Sequence, residues 1–200
     1  MLFRSKQIEN VRLFGIPVVV AINRFPTDTD AEIEFVRQAA LAAGASAAHT
    51  STLFVDGGKG GEDLAHALVR ACEEPSDFQL LYPDELTLKQ KIETLATKVY
   101  GADGVDYEEQ AEKTLAQFEE RGFGKLPICM AKTQYSLSHD ATLKGRPTGY
   151  RFRVRDARVS VGAGFVYPLA GEIMTMPGLG KVPGGARIDI DDKGNVVGMF

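Results

Sequence analysis

The residues with the most chemical promise in this 200-residue chain stand where apolar runs stop. In AINRFPTDT a β-branched run ends at Asn23, whose amide offers both a donor and an acceptor. Two residues later Phe25 precedes Pro26, in a stretch that cannot continue a strand because Pro26 has no N–H. An aromatic face at such a place suits stacking on a planar ligand ring, worth about 0.5–1.5 kcal/mol beyond area burial if aromatic pairs are the guide. The plainer alternative is that Phe25 staples the start of the next helix by packing one turn in.

A second aromatic, Phe54, lies in TSTLFVDGGKGG, just after a strand that should neighbour the first. The two rings would then face each other across a crevice. The glycines that follow invite comparison with a phosphate loop, but G-x-x-x-x-G-K-[ST] is not met, since Lys59 is followed by Gly60. Glu62 and Asp63 also stand where a phosphate would dock, and they suit a positive helix end themselves. A flexible loop leading into a helix is the better reading.

In AKTQYSLSHDATLKGRPTGY, Lys132 and Thr133 close an apolar run and Arg146-Pro147 lies in the loop beyond. Lys132 and Arg146 suit contacts with a ligand's acid groups, and they suit solvated loop charges equally. MTMPGLGKVP carries no titratable group except Lys181 and reads as packing or lid material. No Ser-His-Asp or Cys-His arrangement can be assembled from local sequence, so no catalytic residue is nominated. Cys72 and Cys129, far apart and in apolar company, read as buried reduced thiols, and His49, His66 and His139 lack ligand spacing. A metal site is not expected.

The elements that must position these residues follow from periodicity. Residues 16–22 (IPVVVAI) form a continuous apolar run of the kind found in a strand buried on both faces. Thr27, Asp28 and Thr29 are N-cap candidates for an amphipathic helix over 30–43 that ends at Gly44. A short strand over 46–51, the glycine loop and a helix over 62–72 complete a strand–helix–strand–helix order, half of a doubly wound parallel sheet. After a connector at 75–83, helices are predicted over 87–99 and 107–121, and LPICMA (126–131) reads as another buried strand. RFRVRDARVSV alternates charged and apolar residues, as strands with one wet face do. The following Gly/Pro-rich stretch reads as largely loop, and IDIDDKGNVVGMF as a hairpin turning at residues 192–195.

The predicted fold class is therefore α/β: a partial doubly wound parallel sheet with flanking helices, then a β-rich C-terminal region with Gly/Pro loops. It divides into an α/β segment at 1–80, a helical segment at 81–125 and a strand plus β-rich region at 126–200. Buried-strand signals are too few for a freestanding parallel sheet. The chain is accordingly expected to be a piece of something larger or to pair with another chain.

Composition narrows the function classes. The apolar share of 44% and the charged share of 25% are ordinary for a globular protein. The net charge of −4, with scattered Lys and Arg, argues against a nucleic-acid surface. No apolar run approaches the roughly 20 residues of a membrane span, and the first residues do not read as a signal peptide, so a cytoplasmic protein is expected.

The segments VVVAINRFPTDT, GGKGG, YGADGVDY, LPICMAKTQYSLSHD, GRPTGY, VRDARVSVGAGFVYPLAGEIMTMPGLGKVP and IDIDDKGNVVGMF together resemble formate–tetrahydrofolate ligase, in order and over nearly the whole chain. The resemblance is to the C-terminal portion of that family. It implies an ATP-dependent reaction in which formate becomes formyl phosphate and a tetrahydrofolate nitrogen then attacks the formyl carbon. It also implies that the pterin ring lies between two aromatic side chains, which map onto Phe25 and Phe54, with Pro26 shaping the same wall. The family often has Trp where this chain has Phe54, a smaller ring without the indole donor. Asn23, Lys132 and Arg146 remain candidate ligand contacts.

The family's phosphate loop and basic residues belong to its N-terminal part, so the resemblance implies that this chain does not make 10-formyltetrahydrofolate alone. ATP and tetrahydrofolate are then substrates of the full enzyme, with no tightly bound cofactor here. The expected partners are tetrahydrofolate and either the N-terminal part of the ligase or further copies of the chain. A subunit of a split ligase and a non-catalytic folate-binding module are the alternatives.

Overall fold

The computed structural model describes residues 2–171 and 181–198. Helix α1 (Leu2–Arg12) leads into strand β1 (Val19–Asn23), helix α2 (Asp30–Ala42) crosses over, and strand β2 (Ala47–Ser51) returns parallel to β1. Their register runs from Val19 opposite Ala47 to Asn23 opposite Ser51. Only the second half of the apolar run at 16–22 is strand, and the ladder continues one residue further, to Asn23. α2 begins in a complete capping box: Thr29 Oγ1 accepts from Glu32 N, and the Glu32 carboxylate accepts from Thr29 N at 2.9 Å. It ends at Gly44, whose φ of +97° lets Ala45 N reach back to Ala40 O.

Ile8, Ile22, Ala40, Ala45 and Ala48 form the core of this unit, so α1 and α2 pack on the same face of the two strands. After β2 come the short helix α3 (Leu53–Asp56), a 3-10 turn (Gly57–Gly61) and helix α4 (Glu62–Glu73). α4 lies against both strands, with Ala67 and Ala71 buried outside the α1–α2 core. The connector at 75–83 turns back along the loop after α1: Gln79 N donates to Phe14 O at 3.1 Å and Phe78 stacks on Phe14.

A second core gathers helix α5 (Leu88–Thr94), the π turn Leu95–Val99, helix α6 (Glu109–Glu120) and a three-stranded sheet. That sheet has the order β3 (Val105–Tyr107), β4 (Phe152–Ser160), β5 (Phe165–Ala170), with β3 parallel and β5 antiparallel to β4. Leu88, Ile92, Phe152, Val154 and Val166 are fully buried there, each contributing about 1.5–3 kcal/mol of apolar burial. Lys91 is also fully buried, its ammonium donating to Gly124 O and Leu126 O, which closes the turn after α6.

Several expectations change here. Residues 105–107, read partly as helix, are a strand. LPICMA is not a strand buried on both faces: it is a half-buried extended segment bridged to β5, with Cys129 N donating to Val166 O. Cys72 and Cys129 are both exposed free thiols, not buried ones, because Cys72 lies on the outer side of α4 and Cys129 on the outer side of that segment. The stretch read as largely loop contains β5, held by nine-residue β4 despite Pro168. The alternation in β4 is real, but a register shift between Val154 and Asp156 moves its buried face from Val154 to Ala157. The expected hairpin forms from β6 (Asp189–Ile190) and β7 (Val196–Val197), with Asp191 capping its turn. Residues 172–180, including most of the proposed lid, lie outside the described residues.

Candidate functional site at the ends of the parallel strands

Parallel β1 and β2 place both of their C-terminal ends on one side, the edge at which open α/β sheets bind ligands. Asn23, exposed, is in register with buried Ser51, and Arg24 N donates to Ser51 O at 3.0 Å. Phe25 and Phe54 therefore leave the sheet from neighbouring strand ends, two and three residues beyond a paired position.

The loop after β1 is held by local polar contacts. Phe25 N donates to Asp28 Oδ2 at 2.8 Å and Asp28 N returns a bond to Phe25 O at 3.0 Å. Arg24 pairs with Asp30 at 2.7 Å, across the start of α2. These bonds fix the backbone and leave the rings outside: Phe25 is 63% exposed and Pro26 is exposed. Phe25 does not staple the helix, because with Thr29 as N-cap the staple position is Asp28. Sequence reasoning passed over Arg24 and took Asp28 only as an N-cap candidate, although an Asp three residues after Phe25, before a helix start, is a recognisable turn-closing signal.

The loop after β2 is more ordered than a flexible glycine stretch. Thr52 N donates to Gly60 O at 3.0 Å, and Val55 N and Asp56 N donate to Thr52 O. At Gly60 a Cβ would stand 2.5 Å from Thr52 Oγ1 and 2.6 Å from its carbonyl carbon, so only glycine lets the loop close on itself. This closure makes α3 a small platform on which Leu53, Phe54 and Val55 are all exposed. Phe54 is 100% exposed.

Lys132 and Arg146 belong to a different part of the molecule. The Lys132 ammonium donates to Thr133 O and Ser136 O and sits 5.4 Å from the centre of the Tyr100 ring, and burial lowers its pKa. Arg146 grips Glu9 of α1 through two nitrogens, which holds the Glu9 carboxyl below its ordinary range. Tyr150 closes the same loop by donating to Tyr100 O at 2.8 Å, and burial pushes its hydroxyl up to about 12. Both basic side chains are thus engaged by the protein in this state.

Among the described residues there is no group of three or more His, Cys, Asp or Glu side chains placed to hold a metal, and no helix long and apolar enough to cross a membrane.

Comparison with known proteins agrees with the motif reading. The family model for formate–tetrahydrofolate ligase matches residues 3–200. The formate–tetrahydrofolate ligase of Desulforamulus reducens is 58% identical over 98% of this chain, which corresponds to 35% of that protein. That of Roseiflexus castenholzii is 56% identical, with the same coverage of each. The mitochondrial C-1-tetrahydrofolate synthase of Saccharomyces cerevisiae is 51% identical over 98% of the chain and 20% of its own length. The chain spans about a third or less of the curated relatives it matches. On a match over nearly every residue, the chain belongs to the formate–tetrahydrofolate ligase family.

Proposed function

We propose that this chain supplies the pterin-binding wall of an ATP-dependent formate–tetrahydrofolate ligase. The supporting observation is the placement of Phe25 and Phe54 on adjacent loops at the C-terminal ends of in-register parallel strands, both rings uncovered. Exposed aromatic rings on rigid loops lose little entropy on stacking, and apolar surface left uncovered marks binding sites. In this reading Phe25 and Phe54 take the two faces of the pterin, Pro26 shapes the wall and Asn23 offers hydrogen bonds to the ring edge. Lys132 and Arg146 contact the ligand's acid groups only if they exchange their present partners for it. The wall lies in the segment 1–80, and the segments 81–125 and 126–200 support it.

Formyl transfer by the whole enzyme would proceed from formate, ATP and tetrahydrofolate to 10-formyltetrahydrofolate, ADP and phosphate, in the cytoplasm. This chain carries no G-x-x-x-x-G-K-[ST] loop, and the family's phosphoryl chemistry needs such backbone donors and a Lys. It binds folate and leaves the chemistry to the remainder of the ligase, present in the same polypeptide or as a separate subunit.

Calorimetric titration of the purified chain with tetrahydrofolate tests the proposal, with Phe25→Ala as control. Saturable binding lost in the variant supports it. A folded chain that takes up no folate, alone and together with the rest of the ligase, would sink it. Product formation by the chain alone from ATP, formate and tetrahydrofolate would overturn the division of labour.

A further inference from the structure

We infer that Asp28 is a positioning residue of the folate wall: its carboxylate holds Phe25 ready to stack, and it acts on folate only through that ring. The inference rests on the reading above, which makes Phe25 a folate contact. The contacts that carry it lie within residues 24–30 and the end of β2. Asp28 closes the turn after β1 twice. Its N–H donates to Phe25 O at 3.0 Å, the main-chain bond of a four-residue β-turn. Its Oδ2 accepts from Phe25 N at 2.8 Å, so one residue engages both backbone polar groups of Phe25. Pro26 disfavours helical backbone at Phe25 as well. With the backbone held on these counts, the freedom left to the ring is in its two side-chain torsions. One residue earlier, Arg24 N donates to Ser51 O, which ties the start of the turn to the end of β2. The Arg24 guanidinium pairs with Asp30 and braces the turn against the start of α2.

The helix does not need this carboxylate. Thr29 is the N-cap of α2, and Thr29 and Glu32 complete the capping box between them. Asp28 stands outside the box, half-buried, and its side chain bonds back to Phe25. A carboxylate offers acceptors alone, and its bond from an N–H is charge-assisted, stronger than that of a neutral amide. An aromatic residue on a loose loop gives up conformational freedom when it stacks on a ligand, whereas one preset in place gives up less and binds more tightly through the same contact. Asp28 thereby raises folate affinity through Phe25 and not by touching the ligand.

A double-mutant cycle on the full chain tests this, with tetrahydrofolate affinity read by calorimetry and folding checked by circular dichroism. Asp28→Ala is expected to weaken binding about three- to tenfold, and by no more than Phe25→Ala itself. Asp28→Asn, which keeps an oxygen acceptor without the charge, should recover part of the loss. In the Phe25→Ala background, Asp28→Ala should cost less than about twofold, because the ring that it positions is gone. Equal losses in both backgrounds, or wild-type affinity in Asp28→Ala, overturn the inference. Should Asp28→Ala unfold, the same cycle with Asp28→Asn decides. A second measurement needs no folate. The chain contains no Trp, so Phe25→Trp provides a single fluorescent reporter at this position. Its anisotropy should fall when Asp28→Ala or Asp28→Asn is added, and an unchanged value overturns the inference. A wild type that takes up no folate, with the anisotropy falling as expected, removes the folate wall and leaves the hold of Asp28 on residue 25.

Discussion

Arg146 holds Glu9 by two parallel bonds, Nη1 to Oε1 at 2.7 Å and Nη2 to Oε2 at 2.9 Å, across 137 residues of sequence. The pair ties α1, which belongs to the β1–β2 unit, to the loop that follows Lys132. Arg146→Ala is expected to lower stability by about 1 kcal/mol, because the geometry is two-point but both side chains are about a third exposed. The hydrogen bond from Arg146 lowers the Glu9 pKa below its ordinary 4.5. That contribution is present above the unfolded value and is lost as pH falls through the lower folded value. Urea midpoints at pH 7 and pH 3 should therefore differ less in Arg146→Ala than in the wild type, and an equal difference would count against the pair.

Phe25→Ala and Phe54→Ala should leave stability within about 0.5 kcal/mol, since both rings are largely exposed. Each should weaken tetrahydrofolate binding by about three- to tenfold, the equivalent of one lost stacking contact. Phe54→Trp should tighten binding by enlarging the face. Calorimetry on the three variants checks these outcomes together, and a Phe54→Trp that binds more weakly would remove Phe54 from the wall.

Gly60→Ala and Gly58→Ala make an internal comparison. At Gly60 the added carbon overlaps the backbone of Thr52, whereas at Gly58 it meets nothing within 4 Å. Thermal melts should show Gly60→Ala destabilised by about 1–3 kcal/mol and Gly58→Ala within about 0.5 kcal/mol of wild type. If Phe54 is a folate contact, Gly60→Ala should also lose folate affinity, because closure of this loop sets the position of α3.

Thr29→Ala removes the side-chain half of the capping box at the start of α2, the Oγ1 that accepts from Glu32 N, and should cost about 1 kcal/mol in urea unfolding. Since α2 begins five residues after Phe25, a measurable loss of folate affinity should accompany it. Thr29→Ser, which keeps the hydroxyl, should restore both.

Local patterns determined much of this protein. The β-branched run before Asn23, the Thr29–Glu32 spacing and the period-2 alternation of β4 each encode their element within a few residues, because periodicity and capping are short-range effects. Long motifs also carried the family and the two aromatic positions, Phe25 and Phe54. Tertiary structure decided what depends on distant partners. Cys129 is exposed because its segment lies half-buried along β5, which residues 126–131 alone cannot reveal. Arg146 is engaged because α1 brings Glu9 to it from the far end of the sequence. The glycine loop is ordered because Gly60 meets Thr52 at a distance no side chain would permit. Residue types set what each position can do, and burial, pairing and loop closure set which of those possibilities is used.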